Sequence, residues 1–170
     1  EMCIRDRNEL AFDKVDSMVM LELSYNKIVD LNVSLTTNSS SLKYLLLLEN
    51  ELNAVPTKAL DNLYWCTRVD LRTNKIKRVE AFSFRNLKML QYLLMGKNHI
   101  EVIETDAFYG LSNLLLLDIK VNPIRVVESC AFRGLTNVID IVLKNVNLNE
   151  LNSSNLCGTE TQLQYIEVCE

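Results

Sequence analysis

The chain repeats itself every 24 residues, and that period restricts what it can fold into. In a common register Met18, Leu42, Cys66, Leu90, Leu114 and Val138 open successive units. Leu21, Leu45, Val69, Leu93, Leu117 and Ile141 hold the fourth position, and Leu23, Leu47, Leu71, Met95, Ile119 and Leu143 the sixth. Asn26, Asn50, Asn74, Asn98 and Asn122 align at the ninth. Ile28, Leu52, Ile76, Ile100, Ile124 and Leu148 occupy the eleventh, and Leu31, Val55, Val79, Ile103, Val127 and Leu151 the fourteenth. Self-similarity at such a period marks stacked supersecondary units, each burying its apolar face against the next.

One unit, Leu90 to Asn113, shows how a coil forms. Leu93 and Met95 lie two apart, the strand period, and point to one side. Asn98 stands at the bend, where a short amide side chain can satisfy backbone groups stranded by the turn. Ile100 and Ile103 re-enter the core, and Phe108 and Leu111 return on the opposite side. Phe84, Phe108 and Phe132 share the nineteenth column with Leu60, and Leu63, Leu87, Leu111 and Leu135 the twenty-second. Phe12 and Val15 fit these two columns ahead of Met18, so a partial unit over 1–17 precedes full units starting at 18, 42, 66, 90, 114 and 138. Leu163, Ile166 and Val168 restore the strand spacing one residue late, as a partial unit over 162–170. The whole chain, 1–170, reads as a single repeat domain with one parallel sheet. Seven strands at ~4.8 Å spacing give a face roughly 30 Å long. Two units depart from the pattern. Thr36 and Ser39 replace Phe and Leu in the first, and Val146 replaces Asn in the last.

Composition narrows the class. Apolar residues make up 48% of the chain, too many for disorder. Apolar runs such as Leu45–Leu48 and Leu114–Leu117 fall far short of the ~20 residues of a membrane span. A formal charge of −4 at pH 7 disfavours nucleic acid as a partner. No signal peptide is visible, as expected of a mature secreted chain.

The cysteines bear on the compartment. Cys66 fills an apolar column and reads as a small buried hydrophobe. Cys3, Cys130, Cys157 and Cys169 lie near the ends, where a solenoid needs sealing, and are disulfide candidates. Cys157 can bond to Cys169 within the C-terminal seal or to Cys130 across the convex side. The second is favoured, because both sit near the Phe column of adjacent coils. Cys3 has no obvious local partner; it pairs with a residue outside this sequence or with another chain, or stays free. Three glycosylation sequons, at Asn32, Asn38 and Asn152, lie outside the strands and agree with a secreted or extracellular location.

Nothing in the chain suggests an enzyme. The one histidine, His99, takes a variable surface position. No cluster has metal-ligand spacing, and no glycine-rich phosphate loop or nucleophile elbow is present. The expectation is therefore no catalytic residue, no metal and no cofactor.

Binding has a clear address instead. The third, fifth, seventh and eighth positions of each unit alternate with the inward residues and face the open side of the sheet. There Tyr44, Tyr92 and Leu116 share one column with Arg68. Leu46 and Leu94 share the next with Asp70 and Asp118, and Arg72 follows in the seventh. Tyr and Arg among apolar residues form the usual centre of a protein interface, although Leu and Tyr are also tolerated as sheet formers. A basic cluster of Arg68, Arg72, Lys75, Lys77, Arg78, Arg85, Lys88 and Lys97 suits an acidic partner or a sulfated glycan, or is simply a solvated face.

The pattern L-x-x-L-x-L-x-x-N-x-L-x-x-L with a later Phe and Leu, from about Phe12 to Val168, resembles the typical 24-residue class of extracellular leucine-rich repeats. The resemblance implies an α/β solenoid: a horseshoe with a parallel concave sheet and an irregular or 3₁₀ convex side. It extends to Toll-type receptor ectodomains, small proteoglycans, lamprey antigen receptors and, closest in the degenerate units, mosquito leucine-rich immune proteins. That group implies a secreted innate-immunity factor, sometimes disulfide-linked to a second leucine-rich repeat protein, with a C-terminal coiled coil that this sequence lacks. The conventional N-terminal cysteine cap is missing too. The function expected is a non-enzymatic extracellular protein-binding module for immune recognition or receptor assembly, with a second leucine-rich repeat protein or a homodimer among the partners. The alternative is a matrix-adhesive protein binding a matrix component or glycan.

Overall fold

The computed structural model describes residues 18–35, 41–143, 154–157 and 165–167. Cys3, Cys169, Asn38, Asn152, Phe12, Val15, Thr36, Ser39, Val146, Leu148, Leu151, Leu163 and Val168 lie outside the described residues. Ten short strands and one helical turn follow in order: β1 (Met20–Glu22), β2 (Tyr44–Leu46), α1 (Thr57–Leu60), β3 (Arg68–Asp70), β4 (Arg78–Val79), β5 (Tyr92–Leu94), β6 (Val102–Ile103), β7 (Leu116–Asp118), β8 (Val126–Val127), β9 (Asp140–Val142) and β10 (Tyr165–Glu167).

Seven strands form one parallel sheet in the order β1-β2-β3-β5-β7-β9-β10. Its register follows the sequence period: Leu21, Leu45, Val69, Leu93, Leu117 and Ile141 pair in turn, each with its successor. Ile166 then pairs with Ile141, which reproduces the one-residue lag read from the sequence. From Leu45 onward the fourth- and sixth-position side chains are buried. In the first described coil Leu21 and Leu23 are only half-buried and Asn26 is exposed.

The asparagine column works as a ladder. Oδ1 of Asn50, Asn74, Asn98 and Asn122 accepts the N–H of Ile28, Leu52, Ile76 and Ile100 in the preceding coil, at 3.0–3.1 Å. Each Nδ2 donates to two sixth-position carbonyls, one in its own coil and one in the coil before, at 2.8–3.2 Å. One amide thus satisfies three backbone groups that would otherwise be buried without partners.

The residue before each asparagine turns the chain out of the strand. Tyr25, Glu49, Thr73, Lys97 and Val121 all adopt left-handed backbone, with φ of 52–59°. The N–H groups of the first four donate to a seventh-position carbonyl of the following coil at 2.8–3.0 Å, which holds that conformation in place. Left-handed backbone costs an L-residue about 1–2 kcal/mol, and a β-branched side chain suits it worst.

The convex side is built from successive turns with i→i−3 bonds, such as Arg85 to Phe82, Leu87 to Phe84 and Leu90 to Leu87, the pattern of 3₁₀ geometry. The single helical turn α1 stands out among the described residues. Phe84, Phe108 and Phe132 stack as a spine, with near-parallel rings 5.9 and 5.7 Å apart. Gly110 lets the chain pass close to the preceding coil: a Cβ there would meet the Arg85 carbonyl oxygen at 2.5 Å. A disulfide joins Cys130 to Cys157 across the convex side of the last coils.

The one parallel sheet expected from the sequence is joined by another. Strands β4, β6 and β8 form a second parallel sheet along the flank. The β-branched residues at Val102-Ile103 and Val126-Val127 were its sequence signal. The ladder stops short of the coil beginning at Leu42. Glu104 and Glu128 donate their N–H to Val79 and Ile103 of the coil before, and Pro56, at the same position, has no N–H with which to continue the ladder to the coil before its own. The Val55 carbonyl is bonded instead by Thr57, where α1 starts. Glutamates at that position form another inter-coil link: Glu104 accepts the N–H of Ala81, and Glu128 that of Thr105.

Leu93→Ala is expected to lower the unfolding free energy by about 2–5 kcal/mol, read from urea denaturation. Val121→Asn, which relieves left-handed strain at a β-branched residue, is expected to raise it by about 1 kcal/mol in the same assay.

Candidate protein-binding face

The alternation that buries the leucines turns the other side chains of the large sheet outward. Register makes lateral rows of them. Tyr44, Arg68, Tyr92, Leu116 and Asp140 form one row across β2, β3, β5, β7 and β9. Leu46, Asp70, Leu94, Asp118 and Val142 form the next. Arg72 belongs to the row beyond.

These two rows differ in exposure. In the first, Tyr44 and Tyr92 are exposed and Arg68 and Leu116 partly so. In the second, Asp70, Leu94 and Asp118 retain only 3, 6 and 6% of their surface, so they form a floor and are not displayed to solvent as expected. Leu46 remains half-exposed.

The buried carboxylates are neutralised locally. Asp70 accepts from Nε of Arg72 at 2.8 Å and from its Nη2, and also from the Arg72 backbone N–H. This fork raises the already high pKa of Arg72. Asp118 pairs with the Lys120 ammonium at 2.9 Å. The Arg68 Nη2 lies 3.9 Å from Asp70, beyond hydrogen-bond range, with the side chain 38% exposed. Met20, Tyr25, Tyr44, Leu46 and Leu48 join these charged groups around an open depression of about 400 Å³ at the β1–β3 end of the face.

The basic cluster is not one continuous charge. Arg72 is held by Asp70, Lys75 by Glu51 at 2.7 Å and Arg78 by Glu104 at 3.2 Å. Lys77, Arg85, Lys88 and Lys97 make no ion pair among the described residues. Asn32 is exposed and lines a smaller flank cavity of about 220 Å³ with Pro56, Arg78 and Glu80, beside the gap where the second sheet ends. His99 is exposed. Among the described residues no group of His, Cys, Asp and Glu side chains could hold a metal ion, and no helix is long and apolar enough to cross a membrane.

The one described free cysteine is not a poised nucleophile. Cys66 is fully buried, its Sγ 3.3 Å from the carbonyls of Lys43 and Arg68, and burial pushes its pKa up to about 11.

Comparison with known proteins agrees with this architecture. A family model for the leucine-rich repeat matches residues 66–124. The fold is that of a leucine-rich repeat horseshoe. Internalin C2 of Listeria monocytogenes superposes with a TM-score of 0.60 at 22% identity, over 91% of this chain and 72% of that one. A second Listeria internalin, inlF, gives 0.62 at 23% identity, over 89% of this chain and 43% of that one. A chain in the Drosophila Toll–Spätzle complex gives 0.66 at 18% identity, over 84% of this chain but only 22% of that one. The repeat domain therefore spans less than half of the latter two chains. No curated protein matches the sequence. Together the family model and the structures support a leucine-rich repeat family.

Because the folded thiol holds its proton to about pH 11 while the unfolded one releases it near 9.0, the folded state binds more protons between them. The contribution of Cys66 to stability is full below that window and is lost as pH rises through it. Wild-type protein is therefore expected to lose more stability over this range than Cys66→Val in matched urea titrations, and native Cys66 to resist iodoacetamide at neutral pH until the protein unfolds.

Proposed function

We propose that the chain is a non-enzymatic, extracellular protein-binding module whose partner docks on the open face of the large sheet. The observation that carries this reading is the depression between β1 and β3, where exposed Tyr44, Met20 and Tyr25 surround two arginines. Large aromatic side chains on a rigid sheet lose little entropy on binding, and Tyr and Arg are the residues in which interface energy concentrates. Tyr92, Leu94, Leu116 and Asp118 extend the same face, Leu94 and Asp118 as its covered floor. The Cys130–Cys157 disulfide supports an oxidising, secreted setting, and exposed Asn32 is the described sequon we assign to glycosylation.

Within that reading, innate-immune recognition or receptor-complex assembly is the role we favour. It rests on the resemblance of the degenerate units to insect leucine-rich immune proteins, and the structure of the Toll–Spätzle complex shows that a protein of this fold class is found with a protein partner. A second leucine-rich repeat protein or a second copy of this chain are the partners proposed.

Affinity capture from the source organism's extracellular fluid tests the location of the site. A Tyr44→Ala/Tyr92→Ala variant is expected to lose the partner held by wild-type protein, with affinity down at least about tenfold. Equal retention by both proteins would move the site to a flank or an end.

A further inference from the structure

The depression has a polarity that narrows its partner. Arg68 donates no side-chain hydrogen bond to any described residue, so its guanidinium keeps its five N–H donors available. Arg72 commits Nε and Nη2 to Asp70 and leaves Nη1 open. Asp70 sits 3% exposed beneath both, and fixes Arg72 in place with a bidentate bond. One buried carboxylate under two guanidinium groups leaves a positive excess at the surface. The flank of this site is apolar and aromatic: Tyr44 and Tyr92 lie on either side of Arg68 in the same row, and Leu46 and Leu48 lie beside them. The opposite rim carries Glu22, two strands from Asp70 and so roughly 10 Å away.

We propose that Arg68 and Arg72 form a carboxylate-binding subsite, and that the depression takes an extended segment of a protein partner in which an Asp or Glu lies beside a large apolar residue. The inference rests on the reading of this face as the protein-binding one. Arg68 is the group that reaches the partner. Arg72 carries the second half of the charge, and Asp70 positions it. The apolar neighbour of the acid fills the space between Met20, Tyr44 and Leu48. Glu22 repels an acid placed at the β1 end and so sets the direction in which the segment lies. A partner recognised only by charge, such as a sulfated glycan, would make no use of this apolar wall.

A random peptide library displayed on phage and panned against the whole chain tests the proposal. Enriched peptides are expected to share an acidic residue next to Leu, Phe, Tyr or Trp. Synthetic copies should bind at least about tenfold more weakly when that acid is replaced by its amide, or when Arg68 is changed to Gln. Arg68→Gln removes no hydrogen bond within the fold, so its melting temperature should match the wild type. Lys88→Gln, outside the depression, should bind as wild type does. Four results would overturn the proposal: no enrichment, enriched peptides without an acid, acidic peptides held equally by Arg68→Gln, or peptides held equally when their acid is replaced by its amide. Peptides sensitive to Tyr44→Ala/Tyr92→Ala but not to Arg68→Gln would sink the carboxylate subsite alone. Peptides indifferent to both variants would sink the use of this face as well.

Discussion

The described coils are held to their neighbours by side chains that no coil can satisfy alone, and the asparagine ladder is the clearest of these links. Asn98 takes an N–H from Ile76 and gives its own protons to the carbonyls of Leu71 and Met95. The amide is buried because the coils stack, and the coils can stack because the amide removes the cost of turning buried backbone. Stability in such an array is a sum of nearest-neighbour terms. In the first described coil Asn26 is exposed and Leu21 half-buried, whereas the four ladder asparagines that follow are buried.

The same constraint creates the binding face. Inward leucines at the fourth and sixth positions leave the intervening side chains on the other surface, and the parallel register aligns them in rows. Tyr44, Arg68 and Tyr92 are more than 20 residues apart in sequence yet lie on adjacent strands. A rigid backbone presenting Arg and Tyr in fixed order is a preorganised surface, which lowers the entropic cost of association. The buried Asp70 belongs to this arrangement: it costs desolvation, but it locks one guanidinium at the centre of the depression.

Much of this was legible in the sequence, because the period alone specifies strand, bend and core. Leu93, Met95, Asn98, Ile100, Ile103, Phe108 and Leu111 stand where their columns require. The asparagine bonds, the parallel register and the lag at Ile166 follow from the same spacing. The second sheet was less visible, because two-residue strands have no period to detect. Its absence next to Pro56 became clear only from the bonding of Val55 to Thr57. The burial of Asp70, Leu94 and Asp118 could not be read from alternation, which says which way a side chain points but not what closes over it. The left-handed residues before each asparagine were likewise hidden, since none is a glycine. Which of the eight basic side chains are paired depended on cross-coil contacts such as Lys75 with Glu51 and Arg78 with Glu104.

The ladder can be tested without perturbing it. Residue-resolved amide hydrogen exchange should find the N–H groups of Leu52, Ile76 and Ile100, bonded to Asn74, Asn98 and Asn122 rather than to any strand, protected as strongly as those of Leu71 and Met95. Exchange of those three at the rate of ordinary exposed loop amides, while the strands stay protected, would contradict the account.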